Sequence, residues 1–125
     1  MSATILHVED NVSNRMIIRD LLQFNGYRVV EVLDGEEALA AAERERPNLI
    51  LMDIQLPRIS GLEASRRIKA RPELRHIPIV ALTSFALSGD DQKAFAAGCD
   101  AYIAKPYKPR ELLRLIQGLL RHEKS

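Results

Sequence analysis

Short apolar runs alternate with longer amphipathic segments along this chain. Each run is nearly continuous in apolar residues, which is typical of strands buried on both faces of a parallel sheet. The runs predict strands at Thr4–Val8, Arg28–Val32, Leu49–Met52, Ile79–Leu82 and Ala101–Ala104. Helical periodicity between them predicts helices near Ser13–Phe24, Glu36–Arg46, Gly61–Ala70, Asp90–Ala97 and Arg110–Arg121. This alternation predicts an α/β fold in which helices cover both faces of a five-stranded parallel sheet.

The first and last helices carry the clearest apolar stripes. In the first, the spacing i, i+4, i+7 is occupied by Ile17, Leu21 and Phe24. In the last, the spacing i, i+3, i+4, i+7 is occupied by Leu112, Leu115, Ile116 and Leu119. Both stripes predict amphipathic helices whose apolar side docks on the sheet.

Length and charge narrow the class of protein. The 125 residues leave room for one domain, and we expect residues 1–125 to form it with nothing left over for a second domain. The net charge of +1 gives no electrostatic reason to expect nucleic acid or an anionic membrane as partner. A single cysteine and the lack of a targeting segment favour a cytoplasmic location. We expect a monomer or a weak dimer.

Polar side chains follow four of the predicted strands. They are Asp10, Asp53, Thr83 and Lys105, and Glu9 directly precedes the first of them. The carboxyl ends of parallel strands open onto one crevice, so these side chains are expected to converge. Carboxylates, a hydroxyl and an ammonium at one place can hold a divalent metal and a phosphoryl group.

The acidic members of this set predict a metal site. Glu9, Asp10 and Asp53 would repel one another unless a cation neutralises them. Asp53 directly follows Leu49–Met52, where an unpaired charge is costly. Magnesium suits such oxygen ligands, because it binds through one or two carboxylates together with water and phosphate oxygens.

These residues lie in motifs that resemble the receiver domain of two-component response regulators, in particular its single-domain, DivK-type and CheY-like members. The resemblance covers essentially the whole chain. The motifs are Val8-Glu9-Asp10-Asn11, Leu49-Ile50-Leu51-Met52-Asp53-Ile54-Gln55-Leu56-Pro57, Ser60-Gly61-Leu62-Glu63, Ala81-Leu82-Thr83-Ser84 and Tyr102-Ile103-Ala104-Lys105-Pro106. The resemblance implies a flavodoxin-like, doubly wound parallel sheet with strand order 2-1-3-4-5.

The resemblance also implies a metal-assisted phosphorylation site. Asp53 would be the phosphoacceptor, supplied by a histidine kinase or a histidine phosphotransferase. Mg²⁺ would be bound directly by Asp10, Asp53 and the backbone carbonyl of Gln55, and by Glu9 through water. Many receivers have aspartate where this chain has Glu9, and the extra methylene is expected to alter the surroundings of the metal rather than abolish binding.

Further roles follow from the same resemblance. Thr83 and Lys105 would bind the phosphoryl group, and Tyr102 would be the aromatic switch that follows Thr83. Gln55 and Phe85 would modulate dephosphorylation. The resemblance further implies that the domain is not an enzyme, although it assists its own phosphorylation and dephosphorylation. The signal would pass through the surface around the fourth helix, fifth strand and fifth helix. A cis bond before Pro106 is also implied.

Two other classes share parts of this pattern. A magnesium-dependent phosphatase of the haloacid dehalogenase type uses an aspartate at a strand end, but it needs a second aspartate where this chain has Gln55. A flavodoxin-like electron carrier needs a phosphate loop rich in glycine and hydroxyl groups after the first strand, where this chain has Glu9-Asp10-Asn11-Val12-Ser13. Flavin colour, turnover of aryl phosphates and binding of beryllofluoride with Mg²⁺ distinguish the three classes.

Overall fold

Five strands and five helices alternate in the computed structural model, which describes residues 3–83, 90–105 and 107–124. The strands are β1 (Thr4–Val8), β2 (Arg28–Val32), β3 (Leu49–Asp53), β4 (Ile79–Thr83) and β5 (Ala101–Ala104). The helices are α1 (Val12–Phe24), α2 (Gly35–Glu45), α3 (Gly61–Lys69), α4 (Asp90–Ala96) and α5 (Pro109–Lys124). The predicted elements are confirmed with bounds that shift by at most one residue, except that α5 continues beyond the predicted end at Arg121.

The strands form one parallel sheet in the order β2-β1-β3-β4-β5, as predicted. Leu6 lies between Val30 of β2 and Ile50 of β3, so the first strand is central. The order of the strands reverses between β1 and β3, and ligands of such sheets bind outside the carboxyl ends at this point. The topology therefore places the residues after β1 and β3 at the crevice.

The core has two layers, one on each face of the sheet. Alternate residues of a strand point to opposite faces, so Leu6 packs with α2, α3 and α4 whereas Ile5 packs with α1 and α5. The central strands β3 and β4 are buried along their whole length. Among residues 3–83, 90–105 and 107–124, no helix combines the length and apolar character needed to cross a membrane.

The predicted buried stripe of α1 is wrong at two of its three positions, whereas Leu21 is half-buried against the core layer of α1 and α5. Ile17 and Phe24 are 62% and 91% exposed, whereas Ile18 and Leu22 are 2% and 0% exposed. Both stripes are apolar at helical spacing, so periodicity alone cannot select the one that faces the sheet. The buried stripe lies one position along, and α1 consequently presents apolar side chains to solvent.

Candidate functional site

Three carboxylates meet beyond the carboxyl ends of β1 and β3. Glu9 and Asp53 are 1% and 3% exposed, whereas Asp10 is exposed. One oxygen of each carboxylate lies within 4.8 Å of the others. They border an open cavity of about 530 Å³, which is lined by Glu9, Asp10, Asn11, Val12, Ser13, Asn14, Asp53 and Gln55. The predicted convergence of these acids is therefore present.

Asp53 and Thr83 are the last residues of their strands, rather than the first residues beyond them as predicted. The ladder continues because the backbone N–H of Ile54 donates to the Leu82 carbonyl over 2.9 Å. The backbone N–H of Lys105 likewise donates to the Thr83 carbonyl over 2.7 Å. The site residues thus stand on hydrogen-bonded backbone, which holds them more rigidly than a loop would.

Gly61 allows the start of α3 to approach the phosphoacceptor candidate. A Cβ atom at this position would overlap the backbone carbonyl oxygen of Asp53 and lie 2.9 Å from Cα of Ile54. The preceding Ser60 caps α3, since its hydroxyl oxygen accepts a hydrogen bond from the Glu63 N–H over 3.2 Å. The Ser60-Gly61 pair therefore starts the helix and leaves Asp53 undisplaced.

Glu9 is the centre of a hydrogen-bond network. Its Oε1 accepts from Lys105 Nζ over 3.1 Å and from Asn14 Nδ2 over 3.4 Å, and its Oε2 accepts from the Asn11 N–H over 3.2 Å. Arg15 donates to the Glu9 backbone carbonyl over 3.1 Å. Both carboxylate oxygens of Glu9 are engaged by protein groups, whereas Asp10 is exposed to the cavity.

Glu9 and Asp53 form a hydrogen-bonded acid pair with opposite pKa displacements. Burial, then the hydrogen bond and the negative charge of Glu9, raise the pKa of Asp53 to about 7. Burial alone would raise the pKa of Glu9, but the hydrogen bond with Asp53 and the charge of Lys105 lower it. The ammonium contacts Glu9 and stabilises its ionised form, so the acid pair binds a proton more readily at Asp53 than at Glu9. A cation beside Asp53 would displace that proton.

Gln55 touches both the carboxylate and the hydroxyl of the site. Its backbone N–H donates to Asp53 Oδ1 over 2.9 Å. Its side-chain amide donates from Nε2 to Thr83 Oγ1, also over 2.9 Å. Thr83 is fully buried, so its hydroxyl is held inside the protein.

Tyr102 lies on the same face of the sheet as Thr83. In the β4–β5 register, Thr83 pairs with Ala104 and Ala81 pairs with Tyr102, so the threonine and the tyrosine are diagonal neighbours. The Tyr102 side chain is half-buried against the core layer that includes α4. Phe85 and the predicted cis bond before Pro106 lie outside the described residues.

Two residues of the site, Asn14 and Arg15, were not predicted from the sequence. Asn11 caps α1, since its Oδ1 accepts a hydrogen bond from the Asn14 N–H over 2.9 Å. An asparagine immediately before a helix, and polar residues in its first turn, are a recognisable start signal. Here that signal follows the acid pair directly, so the first turn of α1 had to lie beside Glu9.

The family model of the response regulator receiver domain matches residues 5–117 of the chain. The protein belongs to this family. The match spans the acid pair, Asp53, Thr83, Tyr102 and Lys105, and the protein is therefore a signalling receiver domain. The family match excludes the phosphatase and the flavodoxin as the class of this chain, whereas the parallel sheet does not separate them, because both alternatives can share it.

Relatives and solved structures agree with the family. The polar-differentiation response regulator DivK of Brucella anthropi is 44% identical over 96% of this chain and 98% of its own length. The receiver domain of a sensor histidine kinase from Pseudomonas aeruginosa is 44% identical over 96% of this chain and 98% of its own, with a TM-score of 0.89, and holds a magnesium ion in its active-site cleft. The chemotaxis response regulator CheY4 of Vibrio cholerae is 31% identical over 95% of this chain and 99% of its own, with a TM-score of 0.89.

Proposed function

We propose that this receiver domain accepts a phosphoryl group on Asp53 from a phosphohistidine donor. The observation that supports the proposal is the placement of a buried carboxylate, Asp53, beside two further acids, a lysine and a hydroxyl at the carboxyl edge of one sheet. Histidine kinases supply phosphate to response regulators, and a histidine phosphotransferase can fill the same role. The donor chemistry is thus a phosphorylated imidazole.

The residues at the cavity fit a magnesium ion. Asp10 is exposed to it, Asp53 has a pKa raised by burial and by Glu9, and Gln55 lines it beside them. We assign the direct ligands to Asp10, Asp53 and the Gln55 backbone carbonyl. Glu9 would act through water, because both of its carboxylate oxygens accept hydrogen bonds from protein donors. Bound Mg²⁺ would supply positive charge that offsets the charge of the transferring phosphoryl group.

Phosphoryl transfer needs alignment and charge stabilisation more than proton relay. One oxygen of the ionised Asp53 carboxylate forms the bond to phosphorus. The bond from phosphorus to the donor imidazole breaks, and the imidazole nitrogen leaves with the bonding electron pair. The ammonium of Lys105 and the hydroxyl of Thr83 stabilise the phosphoryl oxygens.

A fluorescence or calorimetric titration with beryllofluoride, a mimic of the phosphoryl group, tests this function. We expect one beryllofluoride per chain to bind in the presence of Mg²⁺ and none without it. We also expect acetyl phosphate to place one acid-labile phosphoryl group on the chain. Yellow protein, or steady turnover of aryl phosphates, would contradict the proposal.

Phosphorylation would change the shape of the protein surface next to Thr83 and Tyr102. A phosphoryl group on Asp53 attracts the Thr83 hydroxyl, and Tyr102 follows because it is the diagonal neighbour on the same face of the sheet. A local charge change thereby biases an element with two arrangements. We propose that the signal leaves through the face formed by α4, β5 and α5, and that Gln55 and Phe85 set the lifetime of the phosphoryl group.

The exposed stripe of α1 is the surface best placed for the phosphodonor. Val12 lines the cavity, and the stripe continues through Met16 and Ile17, which are 49% and 62% exposed. A donor histidine must reach Asp53 through this cavity, so the protein that carries it must cover the adjoining helix. Exposed apolar side chains beside a site are typical of a docking surface. We therefore assign the first two turns of α1 to donor binding.

Ile17→Glu tests the docking surface. Because Ile17 is exposed and outside the cavity lining, we expect phosphorylation by acetyl phosphate to be unchanged. Transfer from a cognate histidine kinase should fall about tenfold or more, since a charge would be buried at the interface. The matched control is Phe95→Glu, because this side chain is 52% exposed and its helix, α4, packs on the opposite face of the sheet from α1. Equal loss in both variants would contradict the assignment.

A further inference from the structure

Gln55 connects the phosphoacceptor candidate to the buried hydroxyl. Its backbone N–H donates a hydrogen bond to Asp53 Oδ1, and its side-chain amide donates one to Thr83 Oγ1. The first bond anchors the backbone of Gln55 next to the nucleophile, and the second ties the end of its side chain to the neighbouring strand. One residue therefore spans β3 and β4 at the site.

We propose that Gln55 is a positioning residue that acts through Thr83, by holding the threonine hydroxyl in the place it occupies without a phosphoryl group. The inference rests on the proposed function, in which the same hydroxyl turns to a phosphoryl oxygen on Asp53. The amide hydrogen bond seen here breaks in that transition. Gln55 therefore opposes the switch, in addition to any effect on the path of water.

The physical basis is the stiffness and burial of Thr83. A β-branched side chain has few accessible rotamers, so its hydroxyl occupies discrete positions instead of drifting between them. Thr83 is 0% exposed, so bulk water does not replace the amide as a donor when the hydroxyl moves. The hydrogen bond to Gln55 is thus present when the Thr83 hydroxyl occupies its position without a phosphoryl group, and absent when the hydroxyl turns to a phosphoryl oxygen. This hydrogen bond therefore favours the position without a phosphoryl group.

Gln55 itself can be changed without damage to the core. It is exposed, and its side chain reaches Thr83 from the rim of the cavity. Methionine has nearly the same length and shape but no N–H group. In Gln55→Met the backbone of residue 55 is retained, so the proposed metal ligand and the N–H donor to Asp53 both remain.

A double-mutant cycle with beryllofluoride tests the inference, because this mimic is not hydrolysed and its affinity is independent of attacking water. At saturating Mg²⁺ we expect Gln55→Met to bind beryllofluoride about threefold to tenfold more tightly, the range of one neutral hydrogen bond. In the background of Thr83→Val, which is isosteric but has no hydroxyl, the same change should have no effect. The affinity for Mg²⁺ alone is measured in parallel for the wild type and for Gln55→Met.

The outcomes separate this inference from the function on which it rests. Equal effects of Gln55→Met with and without the Thr83 hydroxyl, or weaker binding in the single variant, would overturn the inference alone. A parallel change in Mg²⁺ affinity would assign the effect to the metal site and overturn it as well. Failure of the wild type to bind beryllofluoride would refute the proposed function together with the inference. Gln23→Met on α1 is the matched control and should leave the affinity unchanged.

Discussion

Asp53→Asn is expected to abolish phosphorylation while leaving the fold intact. Asparagine has the same shape, and its carbonyl oxygen can still accept the Gln55 N–H, but its amide is not a nucleophile toward phosphorus. Incubation with acetyl phosphate and Mg²⁺, followed by intact mass spectrometry, should show full labelling of the wild type and none of the variant. Asp91→Asn, which changes an exposed acid on α4, should label like the wild type.

The same substitution should stabilise the protein without Mg²⁺, and more so at high pH. The pKa of Asp53 is raised from 3.8 in the unfolded chain to about 7 in the folded protein. Between these pH values, the Asp53 carboxyl group is protonated in the folded state and ionised in the unfolded state. The stabilising contribution of this carboxyl group is therefore complete below about pH 4 and is lost as the pH rises to about 7.

Urea unfolding measures this stabilisation. At pH 8, Asp53→Asn should raise the free energy of unfolding by between about 1 and 4 kcal/mol, since each displaced pKa unit corresponds to about 1.4 kcal/mol. Near pH 4 the two proteins should be nearly equal. Persistent labelling at full stoichiometry would contradict the role of Asp53, whereas a pH-independent difference in stability would contradict only the charge argument.

The sequence was sufficient to predict the sheet and the location of the site. Strands buried on both faces leave continuous apolar runs, and the polar residues that follow them must meet at one edge. The positions of Asp10, Asp53 and Thr83 after three such strands are therefore enough to predict that these residues lie together. The predicted ends of β3 and β4 lie one residue before the observed ends. The backbone hydrogen bonds of the sheet continue through Asp53 and Thr83, and they do not depend on the polarity of those side chains.

The sequence was insufficient where two solutions share one pattern. In α1, the apolar pairs Ile17-Ile18 and Leu21-Leu22 allow two helix rotations, and only packing against the sheet selects the buried stripe. The hydrogen bond from Gln55 to Thr83 likewise could not be predicted, because it depends on the conformation of a long side chain that extends from one strand to the next. Spacing along a strand determines which residues are neighbours, but not which polar atoms pair.

Lys105→Ala is expected to remove most of the phosphorylation response while Mg²⁺ still binds. The ammonium lies 3.1 Å from Glu9 Oε1, and it reaches the site from the end of β5. Its removal takes a positive charge from beside the acids, so Mg²⁺ should bind with equal or greater affinity. The rate of labelling by acetyl phosphate should fall by about 100-fold, the typical loss when one preorganised electrostatic donor is removed.

Lys108→Ala distinguishes a site residue from a surface cation. Lys108 is exposed, it lies three positions along the chain, and its removal changes the net charge equally. We expect this control to label at the wild-type rate and to bind beryllofluoride normally. If Lys105→Ala behaved the same way, its contact with Glu9 would be an ordinary ion pair. Stabilisation of the phosphoryl oxygens would then have to come from the bound cation and Thr83 alone.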